Sequence, residues 1–143
     1  MDRRTRNETC FEYIKRLLEP FKAAPRPYTD ILQLKAAGLD YETDEFEFYM
    51  ALLNDRCFVE QEGHRRGFGL EHSVDGFAQW SVLPLRLTAP GHEFAEALRN
   101  KEVWATLKRD FKDASIDTLW QVSKKLLEGY TKKTLESVSG IET

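Results

Sequence analysis

The 143-residue chain has little cysteine, and what it has is not paired. Cys10 and Cys57 lie far apart and form no Cys-x-x-Cys. That spacing excludes a zinc knuckle and a thioredoxin-type site. Both cysteines are expected as small apolar side chains in or near the core. No apolar run approaches the about 18 residues that a membrane span needs. The start, Met1-Asp2-Arg3-Arg4-Thr5-Arg6-Asn7, is not followed by the apolar core of a signal peptide. These absences predict a cytoplasmic protein with no membrane partner.

The motifs of common enzyme classes are missing as well. There is no Gly-x-Gly-x-x-Gly, no phosphate loop and no Gly-x-Ser-x-Gly. Gly63, Gly67 and Gly69 have neither the spacing nor the following helix of a phosphate cradle. The three histidines are His64, His72 and His92, and no two stand at the i, i+4 spacing of a helical zinc site. His64 and His72 are read as exposed loop residues. His92-Glu93 is read as part of a helix start, engaged in capping and local hydrogen bonds. A general base there has no nucleophile in sequence reach. The expectation is a protein that is not an enzyme, with no catalytic residue, no metal and no cofactor.

What is present suffices for one packed domain. Hydrophobic residues make up 41% and aromatics 12% of the chain. The net charge is only −3, but residues 40–62 carry eight Asp/Glu against one Arg. Residues 1–39 lean basic, and the remainder is close to neutral.

Periodicity predicts a helix from Glu8 to Ala23, with Cys10, Ile14, Leu17 and Phe21 on one face and Pro20 kinking or ending its last turn. Pro25-Arg26-Pro27 is an extended linker. A short helix follows over Thr29–Ala37, with Gly38 at the left-handed C-terminal cap. A third spans Asp44–Asp55, with Asp44 and Glu47 spaced as a capping pair and Phe46, Met50 and Leu53 facing inward. Then the period changes. Cys57–Gln61 reads as a strand, Glu62–Gly76 as a glycine-rich hairpin loop, and Phe77–Val82 as the returning strand. Thr88 is a helix cap with Pro90 in the first turn. Helices are expected through Leu98, over Lys101–Lys112, and from Ser115 onward, with fraying after Leu135.

Three helices and a hairpin, then more helices, give an α+β, mostly α fold: a winged helix-turn-helix with a C-terminal helical extension. Residues 1–99 form the winged-helix domain, and residues 100–143 pack on it as one structural unit.

Two stretches carry a family likeness. The run from Phe48 to Val59, with Leu52-Leu53 and then Arg56-Cys57-Phe58 in place of a Gly-Leu-Ile type turn, resembles the third helix and following strand of winged-helix regulators. Leu87-Thr88-Ala89-Pro90-Gly91-His92-Glu93-Phe94 resembles the passage from the second wing strand into the next helix. Together with Leu98-Arg99 and Val103-Trp104, these residues resemble the YjcQ-like family of small winged-helix proteins from bacteria and their phages. The likeness spans about residues 44–125. It implies the fold and a phage-related setting, but no activity, since that family has none assigned.

In winged-helix proteins the third helix usually reads the major groove, which needs cations and amides. Here it offers Asp44, Glu45, Glu47 and Asp55, with Phe48 among them. The expectation is an acidic helix that engages a protein partner in a regulatory or adaptor role. The alternative is a DNA-binding transcriptional regulator. It would use a basic arm, Arg3, Arg4 and Arg6, and His64, Arg65 and Arg66 near the wing tip. A homodimer through the C-terminal helices is expected if Leu119, Leu126 and Tyr130 stay exposed.

Overall fold

In the first helix, Phe11, Ile14, Leu17, Leu18 and Phe21 recur every three to four residues and are all buried. This helix, α1, spans Cys10–Ala23, and Pro20 sits inside it without ending it. The computed structural model describes residues 10–142, and side chains over 11–136. After the Pro25-Arg26-Pro27 linker, Thr29 does not start the next helix. It pairs with Leu85 through two backbone hydrogen bonds of 2.8 and 2.7 Å and is buried. Asp30 is the cap instead, its carboxylate accepting from the Leu32 and Gln33 amides at 2.9 and 3.0 Å. α2 is therefore Ile31–Ala36. Gly38 occupies the left-handed position after it at φ +93°, and Leu39 N–H returns to Leu34 C=O at 2.9 Å.

α3, Asp44–Asp55, has the expected limits. The expected Asp44/Glu47 capping pair is replaced by Thr43, whose hydroxyl accepts from the Phe46 amide at 3.1 Å. That frees three acids to sit in the first turn, where the helix dipole favours them. α3 ends in a Schellman turn. Phe58 N–H bonds Leu53 C=O at 2.9 Å, and Cys57 N–H bonds Asn54 C=O at 3.0 Å. Cys57 takes the left-handed position, φ +60°, that glycine usually fills. Its thiol is exposed, which corrects the expectation of a near-core residue: a residue at that position points away from the body.

The ribbon that follows is nested. β1 (Val59–Gln61) pairs antiparallel with β4 (Leu85–Leu87), and β2 (Leu70–His72) pairs with β3 (Ala78–Trp80). The stretch expected as loop, Glu62–Gly76, thus contains β2. The return strand facing Val59–Gln61 is Leu85–Leu87, not Phe77–Val82. Val59 faces Leu87 and Gln61 faces Leu85, while Glu60 faces Arg86 and forms an ion pair with it. Val59, Leu85 and Leu87 are buried, so period-2 alternation puts the apolar side of this ladder on the core.

α4, Ala89–Arg99, starts on Thr88, whose hydroxyl accepts from Gly91 N–H at 3.1 Å. Asn100 ends α4 and caps α5 (Lys101–Asp110), accepting from the Glu102 and Val103 amides at 2.9 and 3.0 Å. Ser115 caps α6, which spans Ile116–Glu142 and so runs past the point where fraying is expected. α4 lies at the centre, packed against α1, α5, α6 and β4. Phe58, Phe94 and Trp120 form an aromatic cluster with ring centroids 5.1–5.5 Å apart. Tyr13 stacks on Tyr49 at 4.7 Å and ties α1 to α3. The fold is α+β and mostly helical, with two small antiparallel sheets among the described residues.

Candidate functional site

The inward face of α3 is Phe46, Tyr49, Met50 and Leu53, all buried. Helical geometry then turns Phe48 outward, and it is 58% exposed despite its size. Its ring lies edge-on to Tyr49 at 5.1 Å, so it is supported on one side. Asp44 is exposed beside it, and Glu45 and Glu47 are half-buried. Asp55 is eleven residues from Asp44, about 16 Å along the helix, next to Arg56. The structure therefore groups Asp44, Glu45, Glu47 and Phe48 and leaves Asp55 apart.

The β2–β3 hairpin leans on the same end of α3. Trp80 meets Phe46 of α3 at 5.9 Å, Tyr41 of the preceding turn at 5.3 Å, and Phe68 at 5.8 Å. Nε2 of His72 is 3.7 Å from a Glu47 carboxylate oxygen. The hairpin turn runs from Ser73 to Phe77 and is held by Ser73 N–H to Phe77 C=O at 2.8 Å. The Ser73 hydroxyl, then the Phe77 amide, hold the Asp75 carboxyl below the usual carboxylate range. Val74 at this tip is fully exposed, Phe77 is 74% exposed, and Val82 is also open to solvent.

The cations expected at the tip are elsewhere. His64, Arg65 and Arg66 lie in a separate turn directly after β1, at the base of the nested ribbon. Gln61 N–H bonds Arg65 C=O at 2.8 Å, and the Gln61 amide bonds Arg66 C=O at 2.9 Å. His64 lies 3.0 Å from Glu60. The Arg66 guanidinium donates to Asn54 C=O at 3.2 Å, near the end of α3, where a cation suits the helix dipole. The displacement from the tip follows from β2, which lengthens the ribbon beyond the glycine-rich turn. Arg3, Arg4 and Arg6 lie outside the described residues.

The exposed Val74 and Phe77, and Trp80 as the hairpin's anchor, were not singled out from sequence. The signal for them is Asp75-Gly76, a strong hairpin-turn dipeptide flanked by alternating residues. Among the described residues, no group of three or more His, Cys, Asp or Glu is placed to hold a metal ion. No described helix is long and apolar enough to cross a membrane.

A second feature is formed by α6 and α4. Trp120, Leu127 and Leu135 of α6 line an open groove of about 460 Å³ with Glu93 of α4.

A family model described as a hypothetical protein, DUF2513, matches residues 11–117. The chain belongs to the DUF2513 family. No curated protein and no solved structure matches it. The DUF2513 match runs from α1 into the first turn of α6. It includes the acidic start of α3, the whole nested ribbon, and the Thr88–Gly91 joint.

Proposed function

We propose that this DUF2513 protein is a non-enzymatic regulatory or adaptor protein that binds another protein through α3 and the β2–β3 hairpin. In this reading α1–α3 and the ribbon form a winged helix, with β2–β3 as the far part of the wing. The likeness of residues 44–125 to YjcQ-like proteins supports that reading and a phage-related setting. The observation that carries it is the outer side of the first turns of α3. There Asp44, Glu45 and Glu47 share the first turns with Phe48, a large aromatic with most of its surface in solvent. The Glu47–His72 contact continues this side into a hairpin that ends on exposed Val74 and Phe77. An acidic field speeds encounter with a basic surface, and exposed aromatics anchor it. A phosphate backbone meets the wrong sign of charge on that helix.

The alternative of DNA binding draws on Arg65 and Arg66, which are exposed close to the C-terminal end of α3. One pair of measurements separates the two. The protein partner is captured from the native host with wild type and with a Phe48→Ala/Phe77→Ala variant. Duplex DNA retention is measured in parallel at low salt. Loss of one defined partner in the variant, with no DNA retained, supports the protein-binding reading. Steeply salt-dependent DNA binding that Arg65→Ala/Arg66→Ala abolishes overturns it.

A further inference from the structure

The face of α6 expected from sequence to pair copies is not free. Leu119 is fully buried in the body, and Leu126 and Tyr130 pack against the same core. The neighbouring stripe is half-buried at Trp120 and Leu127, which also pack on the core, and opens to solvent at Leu135. Trp120, Leu127 and Leu135 recur at seven- and eight-residue intervals, close to a coiled-coil seam. They line the 460 Å³ groove together with Lys124, Glu128 and Lys132. From Glu128 to Glu136 every residue but Tyr130 is exposed, and Leu135 is 62% exposed. The helix nevertheless continues to Glu142. An isolated helix of about 15 residues is marginal in water. Leu135 is the one large apolar side chain exposed there among the described residues, and it extends the half-buried Trp120 and Leu127 stripe outward, where it calls for a cover.

The charges on this face select the cover. Lys124, Glu128 and Lys132 alternate in sign at four-residue steps. We propose that the occupant is a second copy of the chain, its α6 lying antiparallel on the first about a two-fold axis beside residue 126. That register sets Lys124 of each copy against Glu128 of the other, so the pair is made twice. A parallel, in-register pairing sets like charge against like. Across the same axis Leu127 meets its own counterpart. Trp120 faces the other copy's Lys132, a cation suited to an indole face; Lys124 already lies 5.1 Å over that ring within one chain. Leu135 comes within one helical turn of the other copy's Trp120.

Sedimentation equilibrium over a wide concentration range tests this on the full chain. Leu135→Glu alters an exposed side chain and leaves the fold unchanged by circular dichroism. It is expected to raise the dimer dissociation constant by about 100-fold, because a two-fold interface counts each change twice. Lys124→Glu is expected to raise it about tenfold. Lys124→Glu/Glu128→Lys is expected to return it to near the wild-type value. A wild-type chain that stays monomeric at every concentration overturns the proposal, whether or not the groove takes up a fluorescent apolar dye. So does a dimer indifferent to Leu135→Glu. A double variant no better than Lys124→Glu overturns the antiparallel register.

Discussion

Gly91→Ala is expected to destabilise the protein by about 2–4 kcal/mol, although alanine is the better helix former. Gly91 lies in the first turn of α4, directly against the backbone of residue 58. A Cβ placed there meets the Phe58 carbonyl oxygen at 2.1 Å, the Phe58 carbonyl carbon at 3.0 Å and Leu87 Cβ at 3.3 Å. The nearest obstacle is backbone, so no rotamer change relieves it. Clearing it moves α4 and residue 58 apart by about 1 Å. Two hydrogen bonds cross that joint: Thr88 N–H to Phe58 C=O at 3.0 Å, and the Thr88 hydroxyl to Cys57 C=O at 2.6 Å. Losing them costs about 0.5–1.5 kcal/mol each. The strained packing of Phe58 on Phe94 adds about 1–3 kcal/mol. Helix propensity returns at most about 1 kcal/mol. Urea unfolding followed by circular dichroism measures the net. The internal control is Gly129→Ala in α6, where an added Cβ meets nothing within 4 Å among the described residues. That variant is expected to gain up to about 1 kcal/mol. If the two variants shift the midpoint in the same direction and by similar amounts, the close-approach reasoning is refuted.

Cys57→Gly is expected to stabilise by about 0.5–1 kcal/mol. Relief of the left-handed strain at φ +60° exceeds the entropy that glycine adds to the unfolded chain. A lower urea midpoint for this variant counts against the Schellman assignment. Ser123 is fully buried, and among the described residues its hydroxyl has no hydrogen-bond partner. Ser123→Ala is expected to add about 1–2 kcal/mol, raising Tm by about 3–6 °C in a calorimetric scan. Acid is expected to weaken the fold in two steps. Partial burial, then Lys22 and Arg86, push the His92 imidazole below its ordinary 6.5. Stability from neutral His92 is therefore complete above that value and falls as pH drops below it. The hydrogen bond from Lys22, 2.6 Å away, lowers the Glu96 carboxyl below its ordinary 4.5. Its contribution is complete above that value and is lost at more acid pH. Urea midpoints read from neutral to acid pH show both steps, and Lys22→Met is expected to shrink both.

The helices were legible because their signals are local. Gly38, Thr88 and Ser115 each mark a helix end by their own backbone or hydroxyl chemistry, and each stands where the sequence places it. The ribbon was legible only as a ribbon. Its register depends on which strands meet, and Val59–Gln61 passes over twenty-odd residues to find Leu85–Leu87. Three-residue strands give too short an alternation to compete with the apolar run around Trp80. Thr29 was misplaced for a related reason: its hydroxyl suits a cap, but the β4 edge claims its backbone. Of the candidate site, the acidic turn of α3 was visible in composition. The exposure of Phe48 followed once the inward face was known. The relocation of Arg65 and Arg66 to the base of the ribbon was not readable, because it is set by the length of a hairpin hidden in a glycine-rich stretch.

One joint connects these levels. The Schellman turn at Cys57 aims Phe58 into the core and leaves its carbonyl and that of Cys57 pointing at the start of α4. Thr88 reads both carbonyls while also capping α4, and Gly91 is small enough to let the two backbones touch. The end of α3, the root of the ribbon and the central helix are thereby fixed to one another through backbone groups. The β2–β3 hairpin lies beyond that joint and rests on α3 through Trp80 and His72. A change at Gly91 therefore reaches the acidic surface without touching it. Trp80→Ala acts differently, releasing the hairpin from α3 while leaving the joint intact. Partner binding that survives Trp80→Ala would place recognition on α3 alone, and binding lost with unchanged stability of the helical body would place it on the pair.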